Sequence, residues 1–378
     1  MIVGVPREIK VQEHRVGMTP AGVRTLVEDG HRVLVQAAAG AGSGLSDAQY
    51  LQAGGTLCHD PAELYATAEL VVKVKEPLSP EYPLLRPEQL LFTYLHLAPD
   101  ARQAQALLAS GCTAIAYETV TRADGTLPLL TPMSEIAGRM APQVGAHWLQ
   151  KEQGGKGVLL AGAPGVRPGR VVILGAGTVG SNALRIAVGM GADVTVFDID
   201  PVRLAALDDH YGNRIHTLIA NSQTVEEEVP RADLLIGAVL VAGAQAPKLV
   251  ARELVARMEP GSVIVDVAVD QGGCIATIHP TTHSNPVYCA EDVLHYGVAN
   301  MPGAVSRTST FALTNATLPF VRQLAAEGFG ACLNHPELLA GVNVHNGAIT
   351  HPAVAQALGL PCRPAEFLSG RRFPAGQE

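Results

Sequence analysis

Short apolar runs alternate with amphipathic segments over the first third of the chain. Each run has the length of a buried strand, and in each following segment apolar residues recur at three- and four-residue spacing. This alternation predicts a mostly parallel sheet with flanking helices. The predicted strands are residues 2–5, 32–36, 71–74, 90–93 and 113–116, and the predicted helices are residues 20–28, 47–53, 61–68 and 100–109.

A second series of the same kind follows a long predicted helix. Apolar residues recur at four-residue spacing along residues 134–150, with Ser134 as the predicted N-cap, and a glycine- and proline-rich stretch covers residues 154–169. The order of elements after it predicts a doubly wound unit. Its predicted strands are residues 171–174, 194–197, 215–218, 234–239 and 263–267, and its predicted helices are residues 179–190, 201–209 and 249–258.

The chain length agrees with two domains. The 378 residues correspond to about 2.5 domains of roughly 150 residues each. The segment from residue 306 begins with a helical pattern and ends in a tail too small to fold alone, so we expect it to return to the first domain. The predicted fold is α/β, with a discontinuous domain (residues 1–131 and 306–378), a doubly wound domain (residues 132–305) and a cleft between them.

Composition and charge exclude several classes of protein. Hydrophobic residues make up 47% of the chain and charged residues 16%, and the net charge is −8. These values disfavour a disordered chain, a coiled coil and a nucleic-acid-binding protein. The longest stretch without Asp, Glu, Lys or Arg, residues 338–362, contains prolines, histidines and asparagines, so it does not predict a membrane span.

The chain start and the cysteines predict a cytoplasmic protein. Residues 1–10 carry charges and no apolar run, so no secretory signal is expected. The six cysteines are scattered without metal-ligand spacing, so we predict buried thiols in a reducing compartment and no metal site.

A glycine-rich turn marks a candidate dinucleotide site. The predicted strand 171–174 leads into GAGTVG, a GxGxxG pattern placed between a strand and an amphipathic helix. Gly175 would permit the tight turn, Gly177 would let the backbone approach a pyrophosphate, and Gly180 would let helix and strand pack closely. The pyrophosphate would lie at the positive end of the helix.

The acid at the end of the next strand favours NAD over NADP. Asp198 lies 18 residues after the last glycine, where a carboxylate would bind the ribose hydroxyls and repel a 2′-phosphate. The alternative is that Asp198 caps the following helix, but Asp200 is the better candidate because it directly precedes Pro201. Arg203 would reach the adenosine side or lie on a solvated helix face.

Charged side chains near predicted strand ends mark a second candidate site, in the first domain. Arg7 or Arg15 would bind a substrate carboxylate, with surface ion pairs as the alternative. Alternation places Lys73 and Lys75 on one face, with Lys75 at the carboxyl end of its strand. His96 ends the next strand and is either a general acid/base or a structural histidine.

Two further acids follow the last predicted strand of the second domain. Asp266 falls within the strand pattern, whereas Asp270 lies beyond its carboxyl end, before a glycine pair. Asp270 would activate water or orient a base at the cleft. An Asx-turn that caps Gly272 is the alternative.

In combination, these segments resemble the alanine dehydrogenase family, which includes the α chain of nicotinamide nucleotide transhydrogenase. The resemblance covers residues 3 to about 320, and the tail is less diagnostic. The matching segments are GVPREIK, EHRVGMTPAGV, VVKVKEP, TYLHLA, TPMSEIAGRM, VVILGAGTVG, DLLIGAVLV, APKLV, DVAVDQGG, GVANMPGAV and TSTFALTNATLP.

The resemblance implies the reversible NAD-dependent oxidative deamination of L-alanine to pyruvate and ammonia, through hydride transfer from Cα to NAD⁺ and hydrolysis of the imine. It also implies a homohexamer. Arg15 and Lys75 would bind substrate, His96 would be the general acid/base, and Asp270 would be the second catalytic group. Cofactor contacts would come from Ser134, Thr178, Val179, Asp198, Arg203, Val239, Leu240, Val267, Ala268, Val269, Asp270, Val298, Ala299, Asn300 and Met301.

The sequence departs from the family pattern at one position, and three other functions are compatible with it. Some relatives have a serine near the adenine, after the third strand of the nucleotide domain; the corresponding stretch here is Ala220-Asn221-Ser222, so no side-chain contact is assigned there. The rivals are an NAD(H)-binding transhydrogenase component, a regulatory NAD(H)-binding protein and a saccharopine-forming dehydrogenase. The transhydrogenase role would not need Lys75 and His96 at strand ends.

Overall fold

The computed structural model describes residues 1–239 and 246–365. The chain divides into two compact units. The first unit contains Met1–Met133 and the residues from Val305 onward, and the second unit is Ser134–Ala304. Each unit is built on one mostly parallel sheet with helices in the connections.

The described residues form the following strands and helices. The strands are β1 (Ile2–Val5), β2 (Arg32–Gln36), β3 (Thr56–Cys58), β4 (Leu70–Val72), β5 (Leu90–Thr93), β6 (Thr113–Ala116), β7 (Arg170–Leu174), β8 (Asp193–Asp198), β9 (His216–Ile219), β10 (Leu234–Gly237), β11 (Val263–Asp266), β12 (Val287–Ala290), β13 (Val293–Tyr296), β14 (Val342–His345) and β15 (Ala348–Ile349). The helices are α1 (Pro20–Glu28), α2 (Asp47–Gln52), α3 (Pro61–Thr67), α4 (Ala101–Ser110), α5 (Thr131–Trp148), α6 (Thr178–Gly189), α7 (Pro201–Tyr211), α8 (Ser222–Glu228), α9 (Arg252–Val255), α10 (Ser306–Glu327), α11 (Gly330–Asn334), α12 (Pro336–Gly341) and α13 (Pro352–Leu358).

The first sheet has the strand order β15-β14-β6-β5-β4-β1-β2-β3. The strands from β6 to β3 are parallel to their neighbours, whereas β14 is antiparallel to both β6 and β15. Central strands such as β4 and β5 are buried along their whole length, which explains their unbroken apolar runs. Through β14, the C-terminal part of the chain extends this sheet.

The second sheet has the order β12-β13-β11-β10-β7-β8-β9. All neighbours are parallel except the pair β12 and β13. A core of aliphatic residues from β7, β10 and β11 packs against the helices of this unit. The predicted two-domain α/β fold with mostly parallel sheets is therefore confirmed.

Capping side chains define where several helices begin. Thr19 and Asp60 each precede a proline at the start of a helix and accept a hydrogen bond from a backbone N–H of its first turn. Asp100 caps α4 in the same way. Asp200 accepts from the backbone N–H of Val202, so the prediction that Asp200 caps this helix is confirmed.

Some predicted boundaries are wrong. Helix α5 begins at Thr131, so Ser134 lies inside it and is not its N-cap. Strand β4 ends at Val72, before both lysines. The helix predicted for residues 249–258 has only four helical residues, Arg252–Val255, and strands β3, β12 and β13 were not expected because their residues mix polar and apolar types. None of the described helices has the length and apolar character needed to cross a bilayer.

Candidate active site

Lys75, Tyr94 and His96 lie together at the carboxyl edge of the first sheet. They follow the neighbouring parallel strands β4 and β5. The Lys75 Nζ lies 3.5 Å from the His96 Nε2 and 5.9 Å from the centre of the Tyr94 ring. The His96 ring stacks on Tyr94, with 5.8 Å between the ring centres. Lys75 is buried and His96 is exposed, so a basic group inside the protein adjoins an imidazole at its surface.

Arg15 is a buried cation in the same unit. Its side chain is 2% exposed, and its guanidinium binds the Glu13 carboxylate at two points, Nε to Oε1 at 2.7 Å and Nη2 to Oε2 at 2.5 Å. Burial raises the pKa of Glu13, but the hydrogen bonds and charge of Arg15 outweigh it and lower that pKa to about 2. Arg7, in contrast, is exposed.

Burial and a nearby positive charge destabilise the charged form of Lys75. Burial lowers the pKa of Lys75, and the guanidinium of Arg15 lowers it further. Glu13 already balances the charge of Arg15, so Lys75 is the cation whose charged form an added anion would stabilise. The part of the candidate site formed by Arg15 and Lys75 is thus suited to a small carboxylate.

Lys73 belongs to a separate network. Its Nζ lies 3.2 Å from Glu8 and 2.7 Å from Glu81, and the Tyr65 hydroxyl donates to the same Glu81 at 2.8 Å. Because β4 ends at Val72, strand alternation does not extend to the lysines, and each of them has its own partners. Glu8 also accepts hydrogen bonds from the backbone N–H groups of Val74 and Lys75, so this network supports the segment that carries Lys75.

The glycine-rich turn lies between β7 and α6 in the second unit. Gly175 has φ +98°, which an L side chain rarely adopts. A Cβ atom at Gly180 would lie 1.7 Å from the carbonyl oxygen of Gly175, so helix and turn require glycine there. A Cβ atom at Gly177 would meet no described atom within 4 Å, which leaves the side of the turn open. Thr178 and Val179 form the first turn of α6, whose N–H groups are typical anion ligands.

Asp198 stands at the end of β8 and contacts this turn. Its carboxylate accepts hydrogen bonds from the backbone N–H of Ala176 at 2.7 Å and of Asp200 at 2.9 Å. Arg203 lies 3.8 Å from Asp198 and 3.5 Å from Asp200, with its side chain half-exposed. The structure therefore brings Asp198, Arg203 and the glycine-rich turn together.

A buried carboxylate supports the turn that carries Asp270. Asp266, the last residue of β11, accepts hydrogen bonds from the N–H groups of Ala268 at 2.9 Å and Cys274 at 2.8 Å. Burial raises the pKa of Asp266, and these hydrogen bonds oppose the shift. Asp270 is exposed on the short 3-10 turn between them, and Lys248 donates to the carbonyl oxygen of Gly272 at 2.6 Å.

The remaining predicted cofactor residues are more dispersed. Val239 lies beside the turn, because a Cβ atom at Gly175 would be 3.2 Å from it, whereas Leu240 lies outside the described residues. Ser134 lies in α5, one turn before Gly138, which packs on the carbonyl of Val179 at the start of α6. Val267, Ala268 and Val269 follow β11, and Val298, Ala299, Asn300 and Met301 follow β13, its neighbour in the sheet.

Sequence reasoning missed some residues of the candidate site. The role of Asp266 was not recognised, and Glu81 and Glu118 were not considered. Glu118 accepts hydrogen bonds from the backbone N–H groups of Leu95 and His96. Its position just after β6, the neighbour of the strand that precedes His96, is a signal that could have identified it. Within residues 1–239 and 246–365, we find no group of three or more His, Cys, Asp or Glu side chains that could hold a metal ion.

Comparison with known families agrees with this arrangement. The family model described as "Alanine dehydrogenase/PNT, N-terminal domain" matches residues 4–137. The model described as "Alanine dehydrogenase/PNT, C-terminal domain" matches residues 141–352. The two matches together cover both units.

Similar proteins and solved structures extend over nearly the whole chain. An alanine dehydrogenase of Methanococcus maripaludis is 56% identical over 97% of this chain and 99% of its own length, and one of Bacillus subtilis is 55% identical over 97% of each. A solved structure titled L-alanine dehydrogenase is 53% identical, with a TM-score of 0.93 over 95% of this chain and 99% of its own. A transhydrogenase structure from Sinorhizobium meliloti is 25% identical, with a TM-score of 0.79 over 93% of this chain and all of its own. The chain therefore belongs to the alanine dehydrogenase/PNT family.

Proposed function

We propose that this protein catalyses the reversible NAD-dependent oxidative deamination of L-alanine to pyruvate and ammonia. The observation that carries the proposal is the buried Lys75, which lies 3.5 Å from His96 and is influenced by the charge of the buried Arg15. Such a site matches a small substrate with a carboxylate and, next to it, an amine-bearing carbon that loses a hydride while its nitrogen exchanges protons. The high identity to alanine dehydrogenases over the full chain, compared with 25% to the transhydrogenase, supports this function over a transhydrogenase role.

In this proposal, Arg15 and Lys75 bind the substrate carboxylate. The substrate carboxylate would stabilise the charged form of Lys75, which burial and the charge of Arg15 disfavour, and its ion pairs would fix the orientation of the substrate. Because both cations are buried, their interaction with the carboxylate is stronger than it would be in water.

The glycine-rich turn and Asp198 would hold NAD. The residues present fit this cofactor: the open side of Gly177 and the N–H groups of α6 suit a pyrophosphate, and the carboxylate of Asp198 suits ribose hydroxyls. Arg203, Ser134, Val239 and the segments after β11 and β13 are further proposed contacts. When bound, NAD⁺ accepts the hydride that leaves Cα of the substrate.

His96 would transfer protons at the amine nitrogen and at the water that attacks the imine. Loss of hydride from Cα yields iminopyruvate, to which water adds, and the resulting carbinolamine collapses to pyruvate and ammonia. A histidine is suited to these transfers because its ordinary pKa is close to neutrality. Asp270 is the proposed second catalytic group, contributed by the second unit.

Initial rates of NADH formation test the proposal. L-Alanine at alkaline pH should give turnover, with glycine, L-serine and L-lysine as comparison substrates; absence of turnover with L-alanine would refute it. His96→Ala should lower turnover about 10²-fold or more while NADH binding, followed by fluorescence, is retained. Near-normal turnover of this variant would remove His96 from the mechanism.

We also propose a homohexamer in the cytoplasm. The hexamer follows from the family resemblance, and light scattering at several protein concentrations tests it. The scattered spacing of the six cysteines supports a reducing compartment. Four of them are buried, as predicted, whereas the prediction is wrong for Cys289 and Cys362, which are exposed. Fractionation of cells that express the natural protein tests the location.

A further inference from the structure

The backbone at His96 has an unusual conformation. Its φ is +45°, in the left-handed region that only a few per cent of non-glycine residues adopt, histidine more often than most. A residue with a bulky side chain in this region costs free energy, and such strain persists only where the surroundings enforce it. The conformation directs the His96 ring to its place beside Tyr94 and Lys75.

The carboxylate of Glu118 holds the backbone at His96 in this conformation. Its Oε1 accepts hydrogen bonds from the N–H of His96 at 2.6 Å and from the N–H of Leu95 at 3.1 Å, and its Oε2 accepts from the same Leu95 N–H at 3.2 Å. Hydrogen bonds to an ionised carboxylate are roughly twice as strong as those between neutral groups. On the other side of Leu95, the buried Gln103 amide donates to its carbonyl oxygen at 3.0 Å.

We propose that Glu118 is a positioning residue that holds His96 in its catalytic orientation through the backbone. The proposal rests on the proposed function of His96. Glu118 acts on the main chain of the segment after β5, not on the imidazole, so removing its charge should displace the ring without removing it. A displacement of about 1 Å at a catalytic group can lower turnover by about 10²-fold.

A double-mutant cycle tests this proposal. The cycle consists of the wild type, Glu118→Gln, His96→Ala and the double variant, with kcat, KM for L-alanine, NADH affinity and melting temperature measured for each. Glu118→Gln keeps one acceptor oxygen but loses the charge, and it should lower kcat about 10-fold, with NADH affinity unchanged. Glu118→Ala removes both acceptors and should cause the larger loss.

The decisive result is the effect of Glu118→Gln in the His96→Ala background. If Glu118 acts through His96, kcat should fall no further there, because the group it positions is already absent. The same factor in both backgrounds, or normal kcat in the single variant, would overturn the proposal. Absence of turnover by the wild type with L-alanine would instead refute the proposed function.

Glu69→Gln is the matched control. The Glu69 carboxylate also accepts a hydrogen bond from a backbone N–H at 2.6 Å, that of Ile2, but at the amino end of β1 and away from the candidate site. This variant should retain wild-type kcat. A loss of kcat equal to that of Glu118→Gln would show a general effect of removing such a carboxylate and would overturn the positioning role.

Discussion

The two sheets of this protein share the same order of parallel strands but carry different chemical groups beyond the ends of those strands. In the first unit, the parallel strands lie in the order β3-β2-β1-β4-β5-β6, and in the second unit the order β9-β8-β7-β10-β11-β13 repeats the same pattern. The order in which successive strands join the sheet therefore reverses between β1 and β4 and between β7 and β10, although these strands are parallel. Ligands in such sheets bind beyond the carboxyl ends of the strands at these switch points.

The chemical groups that follow the strands at these two points differ between the units. In the second unit, the segment after β7 is a glycine turn that offers backbone N–H groups, with Asp198 after the next strand. In the first unit, the segments after β1 and β4 contribute buried charges, among them Arg15, Lys73 and Lys75. Backbone groups suit an extended pyrophosphate, whereas paired cations suit a small carboxylate. The same strand order thus supports two kinds of recognition, decided by the residues after two strands.

The largest effect is expected where the second unit depends on close backbone packing. In Gly180→Ala, the new Cβ would lie 1.7 Å from the Gly175 carbonyl oxygen, so the helix would have to move away from the turn. We expect a loss of more than about 4 kcal/mol of unfolding free energy and loss of NADH binding, measured by urea denaturation and fluorescence. Gly189→Ala, in the same helix and with no described atom within 4 Å of its Cβ, is the control and should be neutral or stabilising. Equal stability of the two variants would contradict the packing argument.

The first unit should depend on its buried charges instead. Lys73→Met leaves Glu8 and Glu81 without their cation, and such a change costs about 3–5 kcal/mol. Arg322→Met breaks the ion pair with Asp29, at 2.6 Å on the surface, and should cost at most about 1 kcal/mol. Urea denaturation of the full chain gives both values. A similar small cost for the two variants would show that Lys73 contributes little to stability.

Acid should weaken the first unit through Glu13. Its pKa is lowered from 4.5 to about 2 in the folded protein, so its contribution is present above the ordinary pKa and is lost as pH falls through about 2. This shift corresponds to about 3 kcal/mol at neutral pH. Glu13→Gln should therefore be destabilised at pH 7 and differ less from the wild type at pH 3. The exposed Glu28→Gln is the control, and equal pH dependence of all three proteins would contradict the assignment.

The smallest effect is expected at the ribose position. Asp198→Asn removes a charge-assisted acceptor and should weaken NADH binding about 10-fold, or about 1.4 kcal/mol. Asp200→Asn preserves the helix cap and should leave NADH affinity unchanged. Titration by fluorescence or calorimetry measures both, and an unchanged affinity for Asp198→Asn would refute the ribose assignment.

Most of the sheet strands and the nucleotide turn could be predicted from the sequence because their signals are local. Strands such as β4, β5 and β6 are fully buried, so their apolar composition alone marks them. The need for glycine at position 180 could be predicted because the three glycines of the GxGxxG pattern lie within six residues of the chain. Short or partly polar strands such as β3, β12 and β13 have no comparable signal. The start of α5 at Thr131 is hard to predict because Ser134, inside the helix, is a residue type typical of an N-cap.

The sequence by itself determined the fold class, the family and the residue types at the strand ends, since these depend on neighbouring residues along the chain. Only the tertiary structure decided that Arg15 pairs with Glu13, that Lys75 adjoins His96, and that Glu118 holds the His96 backbone. The last two contacts join residues 21 and 22 positions apart in the chain. They depend on which strands become neighbours in the sheet, which neighbouring residues along the chain do not decide.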